Sequence, residues 1–346
     1  MPPRYPIADD QKAKLLGILS EAVGINSQRT NAEIDLLLRR LNVVYYGPPG
    51  TGKTFSALQV RQEWLRRYGP TSVVLTTFHP SYSYEDFIIG FRPDPQNPGQ
   101  FVLTDGLLLK ACAVARQFMK EDGVTNPRRV LLLIDEINRG DVARIFGELI
   151  TFIERDKRGL PFRLSQRPDP PVDIPDNLVV LGTMNTADKS ISLLDVAMRR
   201  RFAFVEFRPD PNYFAASKLW LAEVDGLSLS SLLINLNRRL EMQGVDTERR
   251  VGHALLQVPS DSSDPVGALL ERIRFDVYPL IQEFCYFEKD RIRSVLSDLV
   301  DTDGVYRAGA NQNELIGVLK AITQAAPAAP AVQALNQPSQ PGTNAG

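Results

Sequence analysis

Gly47-Pro48-Pro49-Gly50-Thr51-Gly52-Lys53-Thr54 stands between an apolar run, Val43–Tyr46, and a helical window, Lys53–Tyr68. The octet fits Gly-x-x-x-x-Gly-Lys-Ser/Thr, and a strand–loop–helix setting is the one that pattern requires. Its glycines let the backbone wrap close to a polyphosphate. The amides then turn inward, and the start of the helix adds partial positive charge. Gly47, Pro48, Pro49, Gly50, Thr51 and Gly52 thus read as a phosphate cradle. Lys53 is expected at the β- and γ-phosphates, and Thr54 on Mg²⁺ through its hydroxyl.

Further short apolar runs follow: Val73–Thr77, Val130–Ile134, Leu178–Gly182 and Phe202–Phe207. They barely alternate, which suits strands buried on both faces of a parallel sheet. Helical windows at Gly106–Lys120, Val142–Arg155 and Ser192–Arg200 separate them. Strand–helix alternation predicts an α/β fold, a P-loop parallel sheet with flanking helices. The run Leu131–Ile134 ends in Asp135-Glu136, at the sheet edge where ligands bind. Asp135 is expected in the Mg²⁺ shell, and Glu136 on the attacking water. Val179–Met184 ends in Asn185, whose carboxamide could hold the lytic water or the γ-phosphate. Arg199, Arg200 and Arg201 precede the last apolar run. They read either as solvated helix-end charges or as fingers reaching a neighbouring subunit's nucleotide.

After Arg208-Pro209-Asp210-Pro211 the strand-like runs stop. Helical patterns over 212–222, 228–243, 265–278, 280–299 and 312–323 predict a smaller all-α domain over 209–324, after an α/β domain over 41–208. Asp264-Pro265 is a helix-start signal. Residues 160–177 hold five prolines and read as an exposed insert, with a hairpin as one form. Ala325–Gly346 carries no charge and is mostly Ala, Pro, Gln and Asn, so residues 325–346 are expected to be disordered. Residues 1–40 read as a helical lead-in with apolar clusters at Leu15–Leu19 and Ile34–Leu41. It could cap its own domain or dock on a partner.

The 346 residues are 43% hydrophobic and 23% charged, with Lys+Arg 40 against Asp+Glu 41. That balance argues against a strongly basic nucleic-acid binder. Two distant cysteines, Cys112 and Cys285, suit a reducing cytoplasm better than a disulfide framework. Two histidines argue against a His-rich metal centre. There is no apolar run of membrane-span length and no signal-peptide pattern.

Taken together, Gly47–Thr54, Asp135-Glu136-Ile137-Asn138-Arg139, Phe78–Phe87 and Met184-Asn185-Thr186-Ala187-Asp188-Lys189-Ser190 resemble the McrB-type branch of the AAA+ ATPases. The similarity spans residues 40–300. The resemblance implies a ring, usually a hexamer, with nucleotide at subunit interfaces and the helical region as a lid. It makes Asn185 the sensor and Arg200 and Arg201, with Arg199 beside them, trans-acting fingers. Asp188 would lie near the interface and the lytic water. McrB members hydrolyse GTP while many relatives use ATP, so ATP or GTP is the expected substrate. The implied partner is a McrC-type nuclease subunit in restriction of modified DNA. Lys189 stands where the family usually has arginine, keeping the charge but losing the planar fork. McrB proteins also carry an N-terminal DNA-binding domain. With residues 1–40 alone before the first strand, DNA contact is expected to be indirect or through the ring pore.

Phe78, Tyr82, Tyr84, Phe87 and Phe91 read either as pore-facing aromatics or as core packing. The resemblance puts a second sensor in the lid near Val251-Gly252-His253: His253 could touch phosphate or cap a helix, and Arg249-Arg250 are alternatives for the sensor role. Two rival functions remain at this level. One is a MoxR-like or dynein-related ATPase remodelling proteins. The other is a nucleotide-gated scaffold with little turnover.

Overall fold

The computed structural model describes residues 27–187 and 196–324. The Leu15–Leu19 cluster, Asp188, Lys189 and the 325–346 tail lie outside the described residues. The strands of the first domain are β1 (Asn42–Gly47), β2 (Val73–Thr77), β3 (Ile89–Pro93), β4 (Phe101–Asp105), β5 (Val130–Asp135), β6 (Leu178–Asn185) and β7 (Ala203–Glu206). Five of them form one parallel sheet in the order β2–β5–β6–β1–β7. The remaining pair, β3 and β4, is a separate antiparallel ribbon.

Helices α1 (Ser27–Arg40) and α2 (Lys53–Tyr68) cover one face of the sheet; α3 (Leu107–Asp122) and α4 (Val142–Phe146) cover the other. The strand side chains divide accordingly. Val43, Tyr45, Leu131 and Leu133 pack with Ile34 and Leu37 of α1 and with Val60 and Trp64 of α2. Val44, Leu132 and Ile134 pack on the opposite face with Leu108, Ile145 and Phe146. Two covered faces are why the strand runs carry almost no polar alternation. The lead-in helix is therefore a cap on its own domain. Among the aromatics after β2, Phe78 and Phe87 are fully buried and Tyr82 and Tyr84 pack half-buried against them. Phe91 alone of that set is exposed, on the β3–β4 ribbon.

Three expected helical windows break, two of them at residues whose positive φ a helix cannot accommodate. Gly147, at φ 49° and ψ −135°, separates α4 from α5 (Leu149–Phe152). Tyr286 and Phe287, at φ 54° and 58°, split 280–299. In 212–222 only Tyr213–Ala216 is helical, and a hairpin follows in which Glu223–Val224 pairs with Leu227–Ser228. Its turn is Asp225-Gly226 with both φ positive, the sequence type that two-residue hairpins favour. The second domain is thus helical with a small hairpin rather than purely helical. The insert at 160–177 closes through one antiparallel bridge, Phe162 with Val172.

The second domain keeps its own core, built from Leu232 and Leu236 of α7 (Leu229–Met242), Leu269 of α8 (Pro265–Arg272), Phe284 and Leu319. It reaches back onto the phosphate loop. The Ala254 N–H donates to the Gly50 carbonyl at 2.9 Å. Gly252 lies flat on Gly50; a Cβ there would stand 2.1 Å from the Gly50 carbonyl carbon. His253 stacks on Tyr213 with centroids 4.3 Å apart. Its Nδ1 accepts the Asp210 N–H at 3.2 Å. Burial, with a smaller push from Arg29, outweighs the pull of Asp210 and holds the His253 pKa down to about 4. The ring is therefore neutral at physiological pH. With Nδ1 accepting, its proton sits on Nε2.

Gly252→Ala should force this contact apart and cost about 1–3 kcal/mol in urea unfolding, the usual range for overpacking. Gly309→Ala, with nothing within 4 Å of the new Cβ, should leave the midpoint unchanged. His253 gives a pH signature. The unfolded chain binds its proton near the ordinary histidine value of 6.5, the folded chain only at about 4. Stability should fall as pH drops through that window, by about 3 kcal/mol, and His253→Gln should flatten that stretch of the urea-midpoint profile.

Candidate nucleotide site

The phosphate loop leaves the C-terminal end of β1 and enters α2 directly. Gly47 takes φ 148°, and a Cβ there would lie 2.1 Å from the Phe207 carbonyl oxygen; only glycine fits this turn. Gly52 caps α2 at φ 86°. The Thr51 hydroxyl donates to the Pro48 carbonyl at 2.8 Å and braces the loop. Lys53 is buried, and its ammonium donates to the carbonyls of Gly47 (2.9 Å) and Pro48 (2.7 Å). The result is a loop of backbone amides, a helix start and an ammonium at one point, the usual make-up of an anion site.

Strand order brings the acids to this loop. β6 lies between β1 and β5, and Gly47 pairs with Asn185 across the β1–β6 register. The Thr54 hydroxyl donates to Asp135 Oδ1 at 3.2 Å. The Asn185 carboxamide donates to Glu136 Oε1 at 2.6 Å. Arg139 Nε lies 3.4 Å from Glu136 Oε2. Glu136 itself has left-handed backbone angles, φ 53° and ψ 47°. The structure thus places Lys53, Thr54, Asp135, Glu136 and Asn185 together. Two further residues enter that sequence reading passed over. The buried Thr183 hydroxyl contacts both Asp135 and the Glu136 amide. Asn138 donates to the Asn185 carbonyl at 3.0 Å. A threonine late in a strand run is ordinary β composition, so nothing singles out Thr183; Asn138 lies inside the quoted Asp135–Arg139 motif without a role of its own being read for it.

The Thr54 hydroxyl and the Asp135 carboxylate are hard oxygen donors meeting beside an anion cradle. They fit Mg²⁺, which typically takes one or two carboxylates plus substrate phosphates rather than an all-protein cage. Among the described residues no cluster of three His, Cys, Asp or Glu could hold a metal by itself.

Beside the loop is a cavity of about 380 Å³ whose wall includes Arg29, Thr30, Phe55, Gln59, Tyr213 and His253. It joins α1, the first turns of α2 and the second domain. His253 Nε2 is 3.8 Å from where a Gly52 Cβ would lie, so its N–H borders the cradle. Arg29 was not foreseen, because its place depends on how α1 docks. Arg249 and Arg250 are engaged elsewhere: Arg249 donates to the Tyr286 hydroxyl at 2.9 Å, and Arg250 lies 3.8 Å from Glu241.

The three arginines occupy the opposite end of the sheet. They close α6 (Val196–Arg201), and the Arg201 carbonyl accepts from Asn42, the first residue of β1, at 3.1 Å. Five residues of strand, about 16 Å at 3.3 Å each, separate Asn42 from Gly47. Arg201 pairs with Glu154 at 2.9 Å, Arg199 lies 5.9 Å from the Phe204 ring centre, and Arg200 is exposed. The end itself is fixed by Arg158, which is buried and donates to Asn42 Oδ1 at 2.6 Å. None of the three reaches its own chain's cradle.

Residues 42–202 match the AAA domain of the dynein-related subfamily. The chain is 31% identical over 271 residues to the Type IV methyl-directed restriction enzyme EcoKMcrB subunit of Escherichia coli (strain K12), covering 73% of this chain and 56% of that protein. It is 27% identical over 224 residues to the Type II restriction enzyme BsuMI component YdiS of Bacillus subtilis (strain 168), covering 52% of this chain and 60% of that one. The chain therefore spans little more than half the length of these curated relatives. With a five-stranded parallel sheet, a phosphate loop and paired acids at adjoining strand ends, the chain is a McrB-like AAA+ protein.

Proposed function

We propose that this chain is the Mg²⁺-dependent NTPase motor of a restriction complex, assembled as a ring, none of whose sites is complete within one copy. The observation that carries the reading is the meeting of Lys53, Thr54, Asp135, Glu136 and Asn185 at three adjoining strand ends. The loop amides and Lys53 bind and orient the triphosphate. Thr54 and Asp135 would hold Mg²⁺, which when bound neutralises charge on the β- and γ-phosphates. Glu136 accepts a hydrogen bond from the attacking water and aims it at the γ-phosphorus. Asn185 fixes the Glu136 carboxylate in that role. The base lies in the cavity walled by Arg29 and Tyr213, with His253 as a neutral donor at the cradle's edge. ATP and GTP both fit this description, and parallel titration separates them.

Arg200, exposed at the far end of the sheet, is the finger that enters a neighbouring copy's site, with Arg199 and Arg201 beside it. Asp188 is assigned to the same interface. A ring follows from that division of labour, and six copies is the number the family favours. The relatives' restriction roles support a McrC-type nuclease partner, with DNA reached through that partner or the pore. Among the described residues no helix is long and apolar enough to cross a membrane, and both cysteines are buried free thiols. These features support a cytoplasmic setting.

Glu136→Gln should bind nucleotide normally and lose turnover by about 10²–10⁴-fold; wild-type phosphate release would remove Glu136 from this role. Arg200→Ala should also be inactive, by about 10³–10⁵-fold. Mixing the two inactive variants should restore turnover, because a site can then take Glu136 from one copy and Arg200 from the next. A mixture as dead as its components would contradict a shared site. Phosphate release per copy that never rises with protein concentration would point to a scaffold or a self-sufficient monomer instead.

A further inference from the structure

We propose that Thr183 is a positioning residue of this site, setting Asp135 and Glu136 together through its single hydroxyl. The inference rests on the hydrolytic reading above and adds to it a residue outside the phosphate loop, the paired acids and the sensor. Thr183 sits on β6, two residues before Asn185, with 2% of its surface exposed. β6 adjoins β5, so this side chain stands beside the point where β5 ends. Its Oγ1 accepts the Glu136 N–H at 3.1 Å. The hydroxyl hydrogen is then spent on Asp135 Oδ1, a second close contact. A hydroxyl offers one hydrogen and two lone pairs. Amide, hydroxyl and carboxylate therefore form one directed chain, in which each bond polarises the next.

Both ends of that chain matter. At Asp135, Oδ1 receives Thr183 and also the Thr54 hydroxyl at 3.2 Å. Two donors on one oxygen fix the carboxylate's rotation and leave Oδ2 as the oxygen to offer a cation. At Glu136 the backbone is left-handed, which is unfavourable for a residue with a side chain. The hydrogen bond that the Glu136 N–H donates to Thr183 Oγ1 helps hold it there. That conformation turns the chain out of the strand and delivers the Glu136 carboxylate to Asn185. Removing the hydroxyl would leave the Glu136 N–H without this acceptor and Asp135 Oδ1 with one donor fewer. Both acids would lose their bearing while the phosphate loop stayed intact.

The test compares Thr183→Val, which keeps the shape and loses the hydroxyl, with Thr183→Ser, which keeps the hydroxyl. Thr183→Val should lose about 10–100-fold in kcat, the usual effect of removing a group that orients a metal ligand. Its KM for nucleotide should stay near wild type, and its half-saturating Mg²⁺ should rise. Two readouts do not need turnover. The Glu136 amide should exchange with deuterium faster in Thr183→Val, and Mn²⁺ binding in the presence of ADP, followed by electron paramagnetic resonance, should weaken. Thr183→Ser should restore all four properties. If Thr183→Val does not fold, Thr183→Cys, with its weak S–H donor, takes its place and should show the same losses. Wild-type kcat and Mg²⁺ dependence in the valine or cysteine variant would overturn the proposal. So would a loss in which KM and thermal stability move while Mg²⁺ dependence and Glu136 exchange do not. Glu136→Gln run alongside separates the failures. If it hydrolyses normally, the hydrolytic reading itself falls; if it is dead beside a wild-type-like Thr183→Val, only the role of Thr183 falls.

Discussion

The site depends on one constraint: β6 is hydrogen-bonded between β1 and β5, all three running parallel. Parallel pairing puts three C-terminal ends side by side, and each end carries a different chemistry. β1 delivers the phosphate loop, β5 the two acids, and β6 the amide of Asn185 with the Thr183 hydroxyl behind it. Helices on both faces keep the sheet dry. Strand-end groups then project from a rigid layer, the arrangement that places ligands at the open edge of such sheets. Lose the β6 register and Asn185 no longer stands opposite Gly47, although every residue of the motifs would remain.

The same sheet separates two kinds of work. Its C-terminal edge holds the phosphate loop, the two acids and Asn185, while its N-terminal edge holds Arg199–Arg201 on a buried frame of Asn42 and Arg158. A distance of one strand length keeps those arginines away from their own phosphate loop. The second domain closes the account on the remaining side. It touches the phosphate loop through backbone, with Gly252 on Gly50 and Ala254 bonded to it. The contact is close enough that not even a methyl group fits between Gly252 and Gly50.

Much of this was legible in the residues. Helix α2 and strand β2 fall where the pattern puts them, and β1 and β5 are longer by a residue or two. Strand β6 runs to Asn185, as the reading of Val179–Met184 ending in that amide expects, and its ladder to β1 holds to the last residue. The hairpin at Asp225-Gly226 has its turn signal in the gap between the helical patterns 212–222 and 228–243, where an all-α reading expects only a connection. The β3–β4 ribbon had the weaker signal, since Phe91, Phe101 and Val102 are exposed rather than facing a core. Thr183, Asn138 and Arg29 were out of reach for a different reason. Each acts through neighbours distant in sequence, and their residue types are unremarkable where they stand.

Equilibrium binding of a fluorescent, non-hydrolysable triphosphate in saturating Mg²⁺ tests the central claim most directly, with Lys53→Met as the comparison. The account predicts saturable one-to-one binding by the wild type and its loss, or severe weakening, in Lys53→Met with the fold intact by circular dichroism. Equal binding by both proteins, or none by the wild type, would contradict it.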